Sequence, residues 1–279
     1  MSQYRNTLSA NHPGCIIFMI DQSGSMGAHW KGTEKSCAHG AAKAVNSIIG
    51  ELVLRCMKGE EVSPRVKMGF FGYSSDSVDW CAEGFPHDSS GLVSIKDLAD
   101  CDEQYLDEET EVFIPWIVND NAYGNTPMKE ALSQIRDIAE MFAQNNPDSF
   151  PPILINITDG RPTDMDESEL PALAQTLKSI STSDGAALVW NIHISAEEGE
   201  AVMMPGSSDG IGDEYARYLF EASSELPETM VNIGRQSYKM EIDEGARCFA
   251  FNANATELTK LLVLASSAPD ADRMQGASQ

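Results

Sequence analysis

Asp21, Ser23 and Ser25 set one carboxylate and two hydroxyls at alternate positions of the stretch Asp21-Gln22-Ser23-Gly24-Ser25. All three are hard oxygen donors, a chemistry that suits magnesium or manganese, with calcium the poorer match. Two further donors follow in comparable settings, Thr126 in Gly124-Asn125-Thr126-Pro127 and Asp159 in Thr158-Asp159-Gly160. Each has a local explanation as well. Serines in a glycine-containing turn bond their own backbone, Thr126 suits a helix cap with Pro127 at the first helical position, and Asp-Gly is a common turn dipeptide. Their common placement, at strand ends and a helix start around one mouth of a sheet, is explained better by a single divalent-cation site.

The elements that must position them are legible in the apolar pattern. Cys15 to Ile20 is an unbroken apolar run of strand length, as in a parallel sheet buried on both faces. Ala41, Val45, Ile48, Ile49, Leu52 and Cys56 recur at three- and four-residue steps, predicting an amphipathic helix from about Glu34 to Met57. Arg65 to Tyr73 reads as a second strand and Ser77 to Ala82 as a short return strand. The acidic stretch Asp97 to Glu111 reads as a solvated loop, followed by apolar Val112 to Ile117. Met128, Leu132, Ile135, Ile138 and Phe142 mark the next helix. Ile153 to Ile157 is a buried-type strand, a helix is expected from about Asp166 to Ile180, and Ala187 to Ile194 is a further strand. Glu197 to Gly212 is expected as a loop, Asp213 to Ser223 as a helix, Cys248 to Phe251 as the last strand and Ala255 to Leu264 as the last helix. Strands alternating with helices predict an α/β class, a doubly wound and mostly parallel sheet covered on both faces. Open sheets of this kind carry their ligand sites at the carboxyl ends of the strands.

In this order, the five donors resemble a von Willebrand factor A domain with a complete metal-ion-dependent adhesion site. Asp21, Ser23, Ser25, Thr126 and Asp159 match the family's Asp-x-Ser-x-Ser, Thr and Asp positions, and the element order fits from about Gly14 to Leu264. The resemblance implies a six-stranded Rossmann-like sheet with one short antiparallel edge strand, for which Ser77 to Ala82 is the candidate. The long stretch between Tyr73 and Gly124 and the loop from Glu197 to Gly212 depart from the family pattern. The domain division expected is a polar segment over 1–13, the domain over 14–267 and a flexible tail over 268–279. The resemblance also implies a metal-dependent protein-interaction module in which a partner's acidic side chain completes the coordination of the ion. The ligand types reach the same point: two carboxylates and three neutral hydroxyls only just neutralise a divalent ion and leave an octahedral shell incomplete.

Composition bounds the partners. Nineteen basic residues against 43 acidic ones give a net charge of -24, which disfavours nucleic acid and anionic membrane surfaces. A partner offering a carboxylate to the metal is therefore expected to surround it with basic residues. Residues Met1 to Pro13 lack a signal-peptide core, and no apolar stretch approaches the ~20 residues of a bilayer span. The six cysteines are scattered without zinc spacing and read as reduced core residues. A cytoplasmic setting is expected. The resemblance extends to bacterial stand-alone proteins of the tellurium-resistance-associated type, which act in stress or defence beside a Ser/Thr kinase and a PP2C-type phosphatase, or beside an AAA+ ATPase.

The rival is a metal-dependent hydrolase or phosphatase using the same acidic site. Against it, position 23 is Ser where a haloacid dehalogenase-type phosphatase needs Asp, and Ser25 lacks the glycine of a nucleophile elbow. No phosphate loop of Walker type occurs. His193 lies in a buried-type strand, where it reads as a core histidine and not as a base. The chain is expected not to be an enzyme.

Overall fold

The first strand, β1 (Gly14–Asp21), is buried at all of its positions. In the computed structural model, which describes residues 3–108, 110–196 and 199–267, it lies near the middle of an eight-stranded sheet. The other strands are β2 (Val66–Ser74), β3 (Ser77–Trp80), β4 (Val93–Ser94), β5 (Ile153–Thr158), β6 (Leu188–Ile194), β7 (Val202–Met203) and β8 (Phe249–Ala253). They run in the order β7-β8-β6-β5-β1-β2-β3, with β4 also on β2. β8, β6, β5, β1 and β2 are mutually parallel. β3, β4 and β7 are antiparallel additions at the margins.

The architecture is thus the expected α/β, doubly wound and mostly parallel one, with Ser77–Trp80 as the short antiparallel edge. Two strands beyond the expected six are present, Val93–Ser94 and Val202–Met203. At two residues each, neither is long enough to show an apolar period.

Helices α1 (Cys37–Cys56) and α6 (Ala255–Ala265) cover one face, where they pack on Ile16, Phe18 and Ile20. Helices α2 (Met128–Asn145), α3 (Leu170–Lys178) and α4 (Glu214–Ala222) cover the other, with Cys15, Ile17 and Met19. The alternation of side chains along β1 therefore feeds two cores, and this is why its sequence has no polar position before Asp21. A helix α5 (Glu228–Ser237), absent from the sequence reading, adds to the α6 side through Met230.

The acidic stretch is more than a solvated loop. It contains the one-turn helix Ile95–Leu98 and then a hairpin, Gln104–Asp107 with Val112–Pro115, that lies against α1. Asp107 is buried and ion-paired with Lys43 of α1 at 3.0 Å. Placing a lysine stem opposite makes the burial of that carboxylate tolerable, a pairing invisible in a local charge count.

The N-terminal polar segment is anchored where described: the Tyr4 amide donates to the Asp184 carbonyl, and the Asp184 carboxylate accepts from the Arg5 and Asn6 amides. The tail expected over 268–279 lies outside the described residues. Among the described residues no helix is long and apolar enough to cross a membrane.

Candidate metal centre

The chain leaves β1 for β2 on one side and later returns to β5 on the other, so the strand order reverses between β1 and β5. Register brings their carboxyl ends level. Ile20 pairs with Ile157, which sets Asp21 opposite Thr158, while Tyr73 pairs with Asp21 and His193 with Thr158. One row across four strands thus reads Tyr73, Asp21, Thr158, His193, and the five predicted donors gather around it at this switch point.

Asp21 sits at the back, fully buried. One carboxylate oxygen accepts from the Ser23 amide at 2.8 Å and the other from the Thr158 hydroxyl at 2.6 Å. Burial pushes its carboxyl up to about 6, the three hydrogen bonds from Thr158 and Ser23 offset part of that, and the nearby charge of Asp159 adds to it. Ser23 and Ser25 hydroxyl oxygens lie 3.1 Å apart, and Ser25 donates to Asp159 Oδ1 at 2.7 Å. The Asp159 carboxyl is also raised, again chiefly by burial. Ser23 is buried, Ser25 exposed and Asp159 half-buried, so the cluster opens to solvent on one side.

Thr126 completes the set without capping a helix. Helix α2 starts at Met128 with Pro127 at the cap position and no side-chain cap bond of its own. The cap comes from another loop: Asp164 accepts from the Lys129 and Glu130 amides, each at 3.0 Å. Thr126 is fixed through its backbone, its amide donating to Thr163 Oγ1 and its carbonyl accepting from the Thr163 amide, both at 3.0 Å. Its hydroxyl oxygen lies 3.9 Å, and that of Ser25 3.6 Å, from the point where a Cβ on Gly160 would stand. Glycine there leaves open the space the two hydroxyls share.

Two loop contacts hold the first and second donor segments together. The Gly24 amide donates to the Gly124 carbonyl at 2.9 Å, and Tyr123 donates to the Gln22 carbonyl at 2.7 Å. Gly124 adopts φ +74°, and a Cβ there would meet the Ser75 hydroxyl and backbone, so glycine is required on both counts.

A cavity of about 550 Å³ opens beside Ser25 and Asp159, lined among others by Arg161, His193, Tyr215 and Asn252. Tyr215 donates to the Gly160 carbonyl at 2.6 Å, and the Arg161 guanidinium lies over the Tyr215 ring and pairs with Glu167 and Asp213. His193 stacks on Phe251 at 4.2 Å and accepts from the Asn252 amide; burial lowers its pKa to about 4, so the ring is neutral near pH 7. Thr158, Thr163, Asp164 and Tyr215 escaped the sequence reading. Thr158 alone carried a usable signal, as the residue before Asp159 on a strand whose register with β1 could be inferred.

Five oxygen donors, two of them carboxylates, suit a hard divalent cation in an octahedral shell. Among the described residues no group of three or more His, Cys, Asp or Glu could hold a metal ion. The donor set found here is of another kind, three of its five members being hydroxyls.

No protein-family model and no curated protein matches this chain. Among solved structures, the pilus adhesin SpaC from Lactobacillus rhamnosus GG is similar with a TM-score of 0.50 at 13% identity, over 95% of this chain and 32% of that one. The von Willebrand factor type A protein from Catenulispora acidiphila gives 0.37 at 14% identity, over 66% of this chain and 34% of that one. The manganese-loaded TRAP protein from Plasmodium vivax gives 0.40 at 14% identity, over 90% of this chain and 72% of that one. This chain therefore spans about a third of the length of the first two. At such identities the likeness is one of fold, and it reaches a TM-score of 0.50 with the adhesin: this chain shares its α/β fold with solved proteins of that architecture.

Proposed function

We propose that this chain is a divalent-metal-dependent protein-interaction module of the von Willebrand factor A kind. Asp21, Ser23, Ser25, Thr126 and Asp159 hold magnesium or manganese, and a carboxylate of a partner protein completes the shell. The observation that carries the reading is the hydroxyl–carboxylate chain Ser23–Ser25–Asp159, with Thr126 facing the same gap beside Gly160. Without an ion this chain places two raised carboxyls within one small cluster, an arrangement that a bound cation relieves.

Ser23, Ser25 and Thr126 contribute neutral oxygens, so a bound divalent ion keeps its attraction for one more anion. When bound, the ion supplies that attraction. The chain's own residues supply orientation: Thr158 and the Ser23 amide fix Asp21, Thr163 fixes Thr126, and Tyr215 fixes the loop at Gly160. The role proposed is capture and not turnover. The setting we favour is cytoplasmic and bacterial, with a Ser/Thr kinase, a PP2C-type phosphatase or an AAA+ ATPase as partner in a stress or defence assembly.

Calorimetric titration with magnesium tests the metal step. The unaltered chain is expected to bind one ion, and the Ser23→Ala/Ser25→Ala pair to bind none while keeping its circular dichroism spectrum. Equal binding by both would refute the site.

A further inference from the structure

At the opposite pole of the sheet, the chain opens a second cavity of about 650 Å³, among the residues that precede β6 and β8. Its walls include Arg5, Lys178 and Arg247, three of only 19 basic residues in a chain of net charge -24. Lys178 and Arg247 lie close enough that the charge of Arg247 adds to burial in lowering the lysine's pKa. Neither has a carboxylate for a partner among the described residues. Lys178 donates to the Glu221 carbonyl, and Arg247 to the carbonyls of Glu221 and Ser223, at the end of α4. Those bonds cap a helix, and Arg247 also lies over the Phe220 ring, so among the described residues neither charge is held in an ion pair.

The start of a helix lies in the same wall. Helix α5 begins at this cavity with Glu228 and Thr229 in its wall and no side-chain cap. Glu225 and Glu228 also line the space, both exposed, and neither forms an ion pair among the described residues. The cavity wall thus has a surplus of one positive charge, which fits a single anionic group and excludes a polyanion. Its volume exceeds what a bare anion fills and is of the size that takes a small organic ligand.

We infer that this cavity is a second ligand site, distinct from the metal centre, that binds one phosphate-type oxyanion through Arg5, Lys178, Arg247 and the first turn of α5. The shared chemistry is the phosphate group, whether free or carried by a small phosphate ester. The site lies beyond the first residues of β6 and β8, while the metal donors lie at the other ends of the strands.

The test is an amide NMR titration of the full chain in EDTA and low salt, with inorganic phosphate in one arm and phosphoserine in the other. Saturating shifts are expected at Glu228, Thr229 and Arg247 in the millimolar range or below. Arg5→Gln, an exposed position that leaves the core untouched, and Lys178→Gln should each weaken binding about tenfold, the loss of one charge-assisted contact. Tighter binding of phosphoserine assigns the site to a phosphate ester; equal binding assigns it to the free anion. No saturating shift at those amides, or unchanged affinity in the Arg5→Gln/Lys178→Gln pair, overturns the inference.

Discussion

Thr126 and Asp164 divide between them a task that the local sequence assigns to one residue. A threonine before proline at a helix start ordinarily spends its hydroxyl on the cap. Here Asp164 takes over the capping of α2 from a neighbouring loop, and the Thr126 hydroxyl borders the space beside Gly160 that the Ser25 hydroxyl also borders. The two substitutions should therefore separate. Thr126→Ala is expected to weaken magnesium binding by about tenfold or more with little change in melting temperature. Asp164→Ala is expected to cost about 1 kcal/mol of stability through the lost cap, by urea denaturation. Asp21 gives a second residue-scale prediction. Its folded-state carboxyl lies near 6 without metal, above the unfolded value of about 3.9, so the folded protein binds the proton more tightly. That contribution to stability is complete below pH ~4 and is lost as pH rises through about 6, on the order of 2–3 kcal/mol. Urea unfolding in EDTA should accordingly show higher stability at pH 4.5 than at pH 7 from this group. Asp21→Asn should flatten the difference, and magnesium at pH 7 should recover it only in the unaltered chain. The five side chains that meet at this mouth were legible in the sequence because each stands near the end of a recognisable element. Thr163, Asp164 and Tyr215 were not, because each acts through one or two hydrogen bonds formed only when distant loops meet.

Helix α1 joins the loop that carries Ser23 and Ser25 to the rest of the fold through one close approach. Trp30, a few residues beyond Ser25, is buried against Gly40, where an added Cβ would stand 2.0 Å from the ring. Its indole N–H donates to the Ala253 carbonyl at the end of β8 at 3.2 Å. Gly40→Ala must displace that ring, so it should lower stability by about 1–3 kcal/mol and weaken magnesium binding although it touches no donor. A calorimetric titration beside a thermal melt would read both, and unchanged metal affinity would show that the loop is held without Trp30. The long elements were readable because β1, β5 and β6 are mostly apolar and α2 carries a clean stripe. Helix α5 was not, since only Met230 and Gly234 in it are buried and a stripe that thin does not stand out. The hairpin Gln104–Pro115 was hidden for a related reason: its acidic residues advertise solvent, while the fold pairs Asp107 with Lys43.

At the scale of the whole molecule, a charge of -24 sets a field that every partner meets first. Self-repulsion of this size is screened within ~10 Å at ordinary ionic strength. Raising salt should therefore raise the melting temperature of the metal-free chain, and a salt-insensitive melt would mean that the acidic residues are already compensated. If the proposed partner is captured through a carboxylate, the same field favours basic residues around it, and association should slow as salt is added.

If residues from three loops share one cation, the ion itself must be found between them. Anomalous diffraction from crystals grown with manganese addresses it directly. A single strong peak is expected within about 2.3 Å of the Ser23 and Ser25 hydroxyl oxygens, bounded also by Thr126 or Asp159. A peak elsewhere on the molecule, or none at saturating manganese, would contradict it.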